Sequence, residues 1–480
     1  MESIAGYAIL FGFGIAMIAI AWYSNQKVDT STTKGFFVAN RRATGPFVAA
    51  SFMATFMWGA DLVAVPQTVY LTGISGIWMY GLPIVVGGFA IIPISSRLRS
   101  VLPDAMTYQE FFYKRLDEKN HLLFVGIGIY TMLLAAALQL RAAGQIIGGL
   151  ASINPYVVAA ITAGIVFLYS VITGIWASLS TDWVQVATTV ILTIVFVPYM
   201  VVEGGGISTM YAGLVSNTDP GTMLSFIPSW GTFYEFCLPF LLGWALWGVA
   251  SMSVWQRAMA VRRDKISRTF IYGSIGWFST IPMYGIVGLL ALVFAPDLGA
   301  PGDAGIEVYT SLLGGVAAAI FIATLMGLVL STVDSAILAL ALLATKDIYS
   351  KYISTDIDSK GTVRVARLSI GLFTALALAT TYAVWNVDFL TLIWINSIGV
   401  TAVFFPLLYC LYWEKTSSNS VFATAIVVGS AIVYMLYTGY SIPITYLVGH
   451  GIALVLTPLL SFIWPSEFEF SHLTPTEVEA

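Results

Sequence analysis

The chain has 480 residues, of which 58% are hydrophobic and only 10% charged, with a formal net charge of −4. Soluble domains carry about 25% charged residues, so a water-soluble globule is excluded and lipid is the solvent. The small charge, with no basic patch interleaved with aromatics, argues against a nucleic-acid partner. Met1 to Ala5 carries no basic stretch and the apolar run behind it is long enough to span, so no cleavable signal peptide is expected. Apolar stretches bounded by charges, Gly or Pro predict an all-α membrane protein of about thirteen spans, near 3–24, 46–72, 76–97, 121–150, 155–175, 178–202, 232–259, 270–294, 311–345, 364–384, 387–412, 419–439 and 442–464.

Orientation follows from the basic residues, because cytoplasmic loops accumulate Lys and Arg. With the N-terminus outside, every second loop holds them, from Lys27, Lys34, Arg41 and Arg42 through the run Arg257 to Arg268 to Lys415. All of the 21 basic residues except Arg141 are assigned to that side. The tail 465–480 is then cytoplasmic. Cys237 and Cys410 fall towards opposite membrane faces, too far apart for a mutual disulfide.

Two predicted spans are interrupted by polar and small residues at mid-depth: Thr55, Trp58, Gly59 and Asp61 in one, and Trp247, Gly248, Ser251 and Ser253 in another five spans later. Paired interruptions suggest an inverted five-plus-five repeat over 46–412, with unwound backbone offering carbonyls to ions. The alternative is that small residues there only let helices approach closely. The leading span and loop (1–45) and two trailing spans (413–464) flank this core.

Ionisable groups inside the bilayer carry the most information, since each costs roughly 2.5–3.5 kcal/mol unless it faces a cavity or partner. Asp61, Arg141, Asp182 and Asp334 qualify. Asp182 reads either as a functional acid or as a first-turn acid favoured by the helix dipole. LSTVDS, Leu330 to Ser335, places Ser331, Thr332, Asp334 and Ser335 within about one helical turn, with 331, 334 and 335 on one face; three hydroxyls and a carboxylate so gathered suit a hard cation, against the alternative that Ser and Thr bond back to the preceding turn. Arg141 either pairs with Asp61 or receives a substrate carboxylate. No HExxH, GxSxG or phosphate-binding glycine motif occurs, and His121, His450 and His472 are placed at helix ends or in the tail, so no enzyme is expected. Gly204 to Gly206 read as a turn.

At these residues the chain resembles the sodium/solute symporter family, from about residue 35 to 415. The strongest match is TGIWASLSTDWVQ, Thr173 to Gln185; GFFVANRR, TYQEFFYKR, VWQRAMA and LSTVDS followed by KDIY occur in family order. The resemblance implies a LeuT-type core with broken first and sixth core helices. It implies a sodium site of Ala54, Met57 and Leu328 carbonyls with the Ser331 and Thr332 hydroxyls, and a possible second sodium near Asp182, Ser331, Asp334 and Ser335. Two departures stand out: Phe56 where some members carry an acid, and Leu328 where a smaller residue is common. Asp61 is a candidate for the missing field. WGADLVAVPQTVYLTGISG and SVWQRAMA with GWFS resemble the urea-type branch, whereas Arg141 favours a carboxylate. The solute pocket is expected from Trp58, Asp61, Gln67, Gln139, Arg141, Trp247 and Ser251.

The expected function is sodium-coupled uptake of a small polar solute (urea-like, amino acid or carboxylate) across the plasma membrane. The alternatives are a transporter-fold sensor acting with a signalling partner, proton-coupled uptake of a small carboxylate, and an ion channel.

Overall fold

The structure, a computed structural model, describes residues 2–26, 30–41 and 43–473. Lys27 and Arg42, assigned above to the first basic loop, and the end of the tail from residue 474 lie outside the described residues. Twelve helices are long and apolar enough to cross a membrane, and a thirteenth span is made by the bent pair Gly45–Phe56 and Asp61–Thr72. These coincide in number and order with the predicted spans. Apart from one isolated bridge between Ala43 and Val261, the described residues carry no extended pairing. Every backbone polar group at membrane depth must be satisfied within the protein, which is why helices supply all the crossings.

The two interruptions are real breaks. The first pair bends by 57°. Helix geometry ends at Phe56; Met57 takes ψ 87°, and the chain resumes as helix at Asp61. The local cause is legible: the Trp58 amide, which would otherwise bond back to Ala54, donates to the Asp61 carboxylate at 3.2 Å. Gly59 lets the break lie against Val329, where a Cβ would come within 2.5 Å of the valine methyl. The second break is one residue wide. Ser251, extended at φ −79° and ψ 110°, separates Ala245–Ala250 from Met252–Ala260.

Gly315–Leu342, which carries LSTVDS, is the central strut. It packs against Glu118–Ala151, Ile175–Ile191 and the first half of the first broken helix. Its residues from Leu325 to Leu342 are all buried, as a helix hydrophobic on all sides should be. Ile442–Ile463 and Ser418–Tyr437 pair with each other at the periphery and keep lipid-facing residues such as Val433, Leu459 and Phe462 exposed.

Several local expectations are corrected. Asp182 is not a first-turn acid: its helix begins at Ile175, so it lies two turns in and is buried. His450 lies mid-helix, its Nε2 2.8 Å from the Leu242 carbonyl. Arg257 does not lie in a loop but in Met252–Ala260, completely buried. Gly205 and Gly206, at φ 89° and 83°, form the expected turn, and both cysteines are free and buried.

Candidate ion and solute site

The break in the first broken helix leaves the Ala54 carbonyl without its helical donor, and the strut supplies a replacement. The Ser331 hydroxyl donates to Ala54 O at 2.9 Å and reaches Leu328 O at 2.9 Å. Thr332 Oγ1 lies 3.3 Å from Thr55 O and 3.4 Å from Leu328 O. Ala54, Met57, Leu328, Ser331 and Thr332 are all nearly inaccessible. Oxygens from segments 277 positions apart therefore converge in one dry spot. Phe56 packs on Phe52 and Trp247, with ring centroids at 4.5 and 5.8 Å.

One helical turn further along the strut lies a denser cluster. Tyr169 donates to Asp334 Oδ2 at 2.8 Å; Ser178 and Ser335 donate to Oδ1 at 2.9 and 3.1 Å. Asp182 accepts from Ser51 and faces Arg257 Nη2 at 3.5 Å. The Arg257 guanidinium also donates to Ser335 at 2.5 Å, to Ser178 at 3.1 Å and, through Nε, to Ser51 at 3.2 Å. Asp182, Asp334 and Ser335 are thus neighbours, as the resemblance implied, but a resident guanidinium lies among them.

The seven expected pocket residues divide into two groups. Trp58 and Trp247 stack edge to face at 5.2 Å beside Trp244. Gln139 Oε1 accepts the Ala60 amide at 3.1 Å, and Ser251 hydrogen-bonds Ser253 at 2.9 Å. These residues, with Asp61, surround the two breaks. Asp61 does not pair with Arg141: its carboxylate accepts from Tyr80 at 2.6 Å, Trp277 at 3.1 Å and the Trp58 amide. Gln67 and Arg141 form the second group, away from the basic loops. Gln67 donates to Asp388 at 2.8 Å, and Arg141 donates to the Val384 and Val387 carbonyls at 3.2 and 2.5 Å.

The residues missed by sequence reasoning are Arg257, Ser51, Ser178, Tyr169, Tyr80 and Trp277. Arg257 had a usable signal. Counted from the break at Ser251, it is six residues along a helix that starts mid-membrane, roughly 9 Å at 1.5 Å per residue, and so falls short of the loop. The others are hydroxyls and rings on apolar helices, with nothing in their spacing to single them out.

Two broken helices beside a hydroxyl-bearing strut, with their polar groups buried at mid-bundle, are the arrangement of a secondary transporter. Comparison with known proteins agrees. The sodium:solute symporter family model matches residues 36–429, so this chain belongs to the sodium:solute symporter family. The osmoregulated proline transporter OpuE of Bacillus subtilis is 24% identical over 454 residues, covering 92% of this chain and 89% of that one. A urea-proton symporter of rice is 23% identical over 456 residues, covering 86% of this chain and 62% of that one, in line with the urea-type likeness. A sodium-coupled sialic acid symporter, solved substrate-bound in an outward-open state, superposes with a TM-score of 0.82 at 16% identity, covering 97% of this chain and 99% of that one. The LeuT-type fold is thereby shared.

Proposed function

We propose that this symporter couples uptake of a small polar organic solute to sodium bound by Ala54, Met57, Leu328, Ser331 and Thr332, in the plasma membrane with its N-terminus outside. The observation that carries the reading is the Ser331 hydroxyl lying 2.9 Å from the Ala54 carbonyl. Neutral oxygens with little formal charge suit a monovalent ion that must bind and leave in every cycle. The Ser331 hydroxyl donates to the Ala54 carbonyl; with sodium present the hydroxyls would turn their lone pairs to it, joining the broken helix to the strut. Ion binding then favours one arrangement of the two elements, and a solute held beside the break reads that arrangement.

The fit at the second cluster is different. Asp182, Asp334 and Ser335 offer oxygens, but Arg257 already brings a positive charge among them. A second sodium there would have to share the two carboxylates with it. The solute is proposed to lie between Trp58, Asp61, Gln139, Trp247 and Ser251, reached by way of Gln67 and Arg141.

Protein reconstituted in liposomes should accumulate solute under an inward sodium gradient and not under a potassium or proton gradient of equal size. Ser331→Ala with Thr332→Ala should raise half-saturating sodium by at least about tenfold, the effect of losing one or two ligand interactions. Uptake driven equally by a proton gradient, or unchanged sodium dependence in the double variant, would refute the assignment.

A further inference from the structure

At the end of the bundle away from the basic loops is a cavity of about 260 Å³ that the central site does not use. Its floor is Val63 and Arg141, its walls are Gln145 and Asn386 to Phe389, and its rim is the short stretch Ala300 to Asp303. Val63 is three residues beyond Ala60, whose amide is held by Gln139, so the cavity lies roughly one helical turn, about 5 Å, outward of the aromatic cluster at the break. The same two helices line both.

The polar groups here are unusually under-used. Arg141 is only 6% exposed. Its Nη1 holds two carbonyls at the end of Ser359–Ala383 and its guanidinium lies 5.2 Å from the Phe389 ring centroid, while Nε has no partner among the described residues. Gln67 Oε1 and Gln145 Oε1 likewise have none. Arg141 makes no ion pair among the described residues, although Asp303 and Asp388 both lie within electrostatic range of it. The two acids are not equivalent. Asp388 caps the helix Phe389–Ile398, accepting from the Thr391 amide at 2.9 Å and hydroxyl at 3.0 Å, and accepts from Gln67 as well. Helix N-termini and neutral donors already satisfy that charge. Asp303, exposed at the rim, carries no such partners among the described residues; desolvation holds its carboxyl above the usual range and Arg141 pulls the other way.

What remains is a buried guanidinium and a rim carboxylate facing one cavity without touching. We propose that this cavity is an outer subsite for a small zwitterion, such as an α-amino acid or a betaine, with its carboxylate on Arg141 and its cationic end towards Asp303. An uncharged solute would leave both charges unanswered, and a simple anion would meet Asp303 and Asp388 as well as Arg141. The proposal rests on the reading of the chain as a sodium-coupled symporter and adds the solute's charge class to it.

The test uses the full chain in detergent and in liposomes with three matched sets of probes: alanine, proline and glycine betaine; propionate and butyrate; propionamide and urea. Sodium-dependent thermal stabilisation and uptake should be confined to the zwitterions. Arg141→Gln should raise the half-saturating concentration about tenfold, the effect of one charge-assisted hydrogen bond. Asp303→Asn, at an exposed position that does not endanger folding, should raise it severalfold with the maximal rate preserved. Stabilisation by sodium alone should be untouched in both. Preference for the amides or the anions, no response to any zwitterion, or an Asp303→Asn variant with unchanged half-saturation would overturn the proposal. Loss of stabilisation by sodium alone in the parent protein would instead strike the coupling mechanism.

Discussion

Arg257 and Asp61 both place a formal charge in the middle of a bilayer, and each is answered differently. Asp61 is met by neutral donors, a phenol, an indole and a backbone amide freed by the break. Arg257 is met by the Asp182 carboxylate and three serine hydroxyls. The second arrangement is the more fragile to truncation, because removing one charge leaves the others buried without compensation. Such losses cost about 3–5 kcal/mol. Arg257→Ala is therefore expected to lower the thermal unfolding midpoint sharply in detergent, and Asp182→Asn in the same chain should restore part of it, since the two groups interact directly. Independent, additive effects of the two changes would show that the cluster is not an electrostatic unit.

At the scale of elements, the first broken helix works by lying close against the strut. Gly59 is where that closeness is set: its neighbour across the gap is Val329, two residues from Ser331. A methyl added at Gly59 must move the break away from the strut, and with it the Ala54 carbonyl from the Ser331 hydroxyl. Gly59→Ala should thus weaken sodium-dependent uptake severalfold while the protein still elutes as a folded species. Val329→Ala added to it should recover much of the activity by making room. Recovery by the second change separates a local clash from general unfolding; an inactive double variant would show that Gly59 matters for another reason.

Over the whole molecule, the described basic residues in loops gather at one end, while Asp297, Asp303 and Gly299 lie at the other. At the basic end, Arg115 donates to the Trp413, Glu414 and Thr416 carbonyls and its guanidinium stacks 3.9 Å over Phe468, so the tail folds back onto the bundle. Lys34 and Asp104 pair there at 3.1 Å, holding the Asp104 carboxyl below its usual range. In the orientation proposed above from the positive-inside bias, this end faces the cytoplasm. Because Cys237 and Cys410 are buried, background labelling should be low. A cysteine replacing Gly299 should react with an impermeant maleimide in intact cells, and one replacing Asp356 should not until the membrane is opened. The reverse pattern would invert the orientation and with it the direction of every step proposed here.

The spans, their order and the two interruptions were legible from hydropathy and from where Gly and polar residues cut it, because a chain in lipid has few ways to satisfy its backbone. The motif around Thr181 and Asp182, and the hydroxyl-rich LSTVDS, announced that the membrane interior holds polar chemistry. Which groups answer one another could not be read so directly. Arg257 was assigned to a loop because its neighbours 262–268 are basic; the break at Ser251 puts it in the core instead. Asp61 and Arg141, the two isolated charges that looked like partners, belong to separate sites, one held by Tyr80 and Trp277 and the other by carbonyls at the end of a distant helix. Hydropathy is a property of each segment in its solvent and is therefore written along the chain. Pairing of polar groups depends on the rotation and tilt of helices packed hundreds of residues apart, and only the assembled bundle decides it.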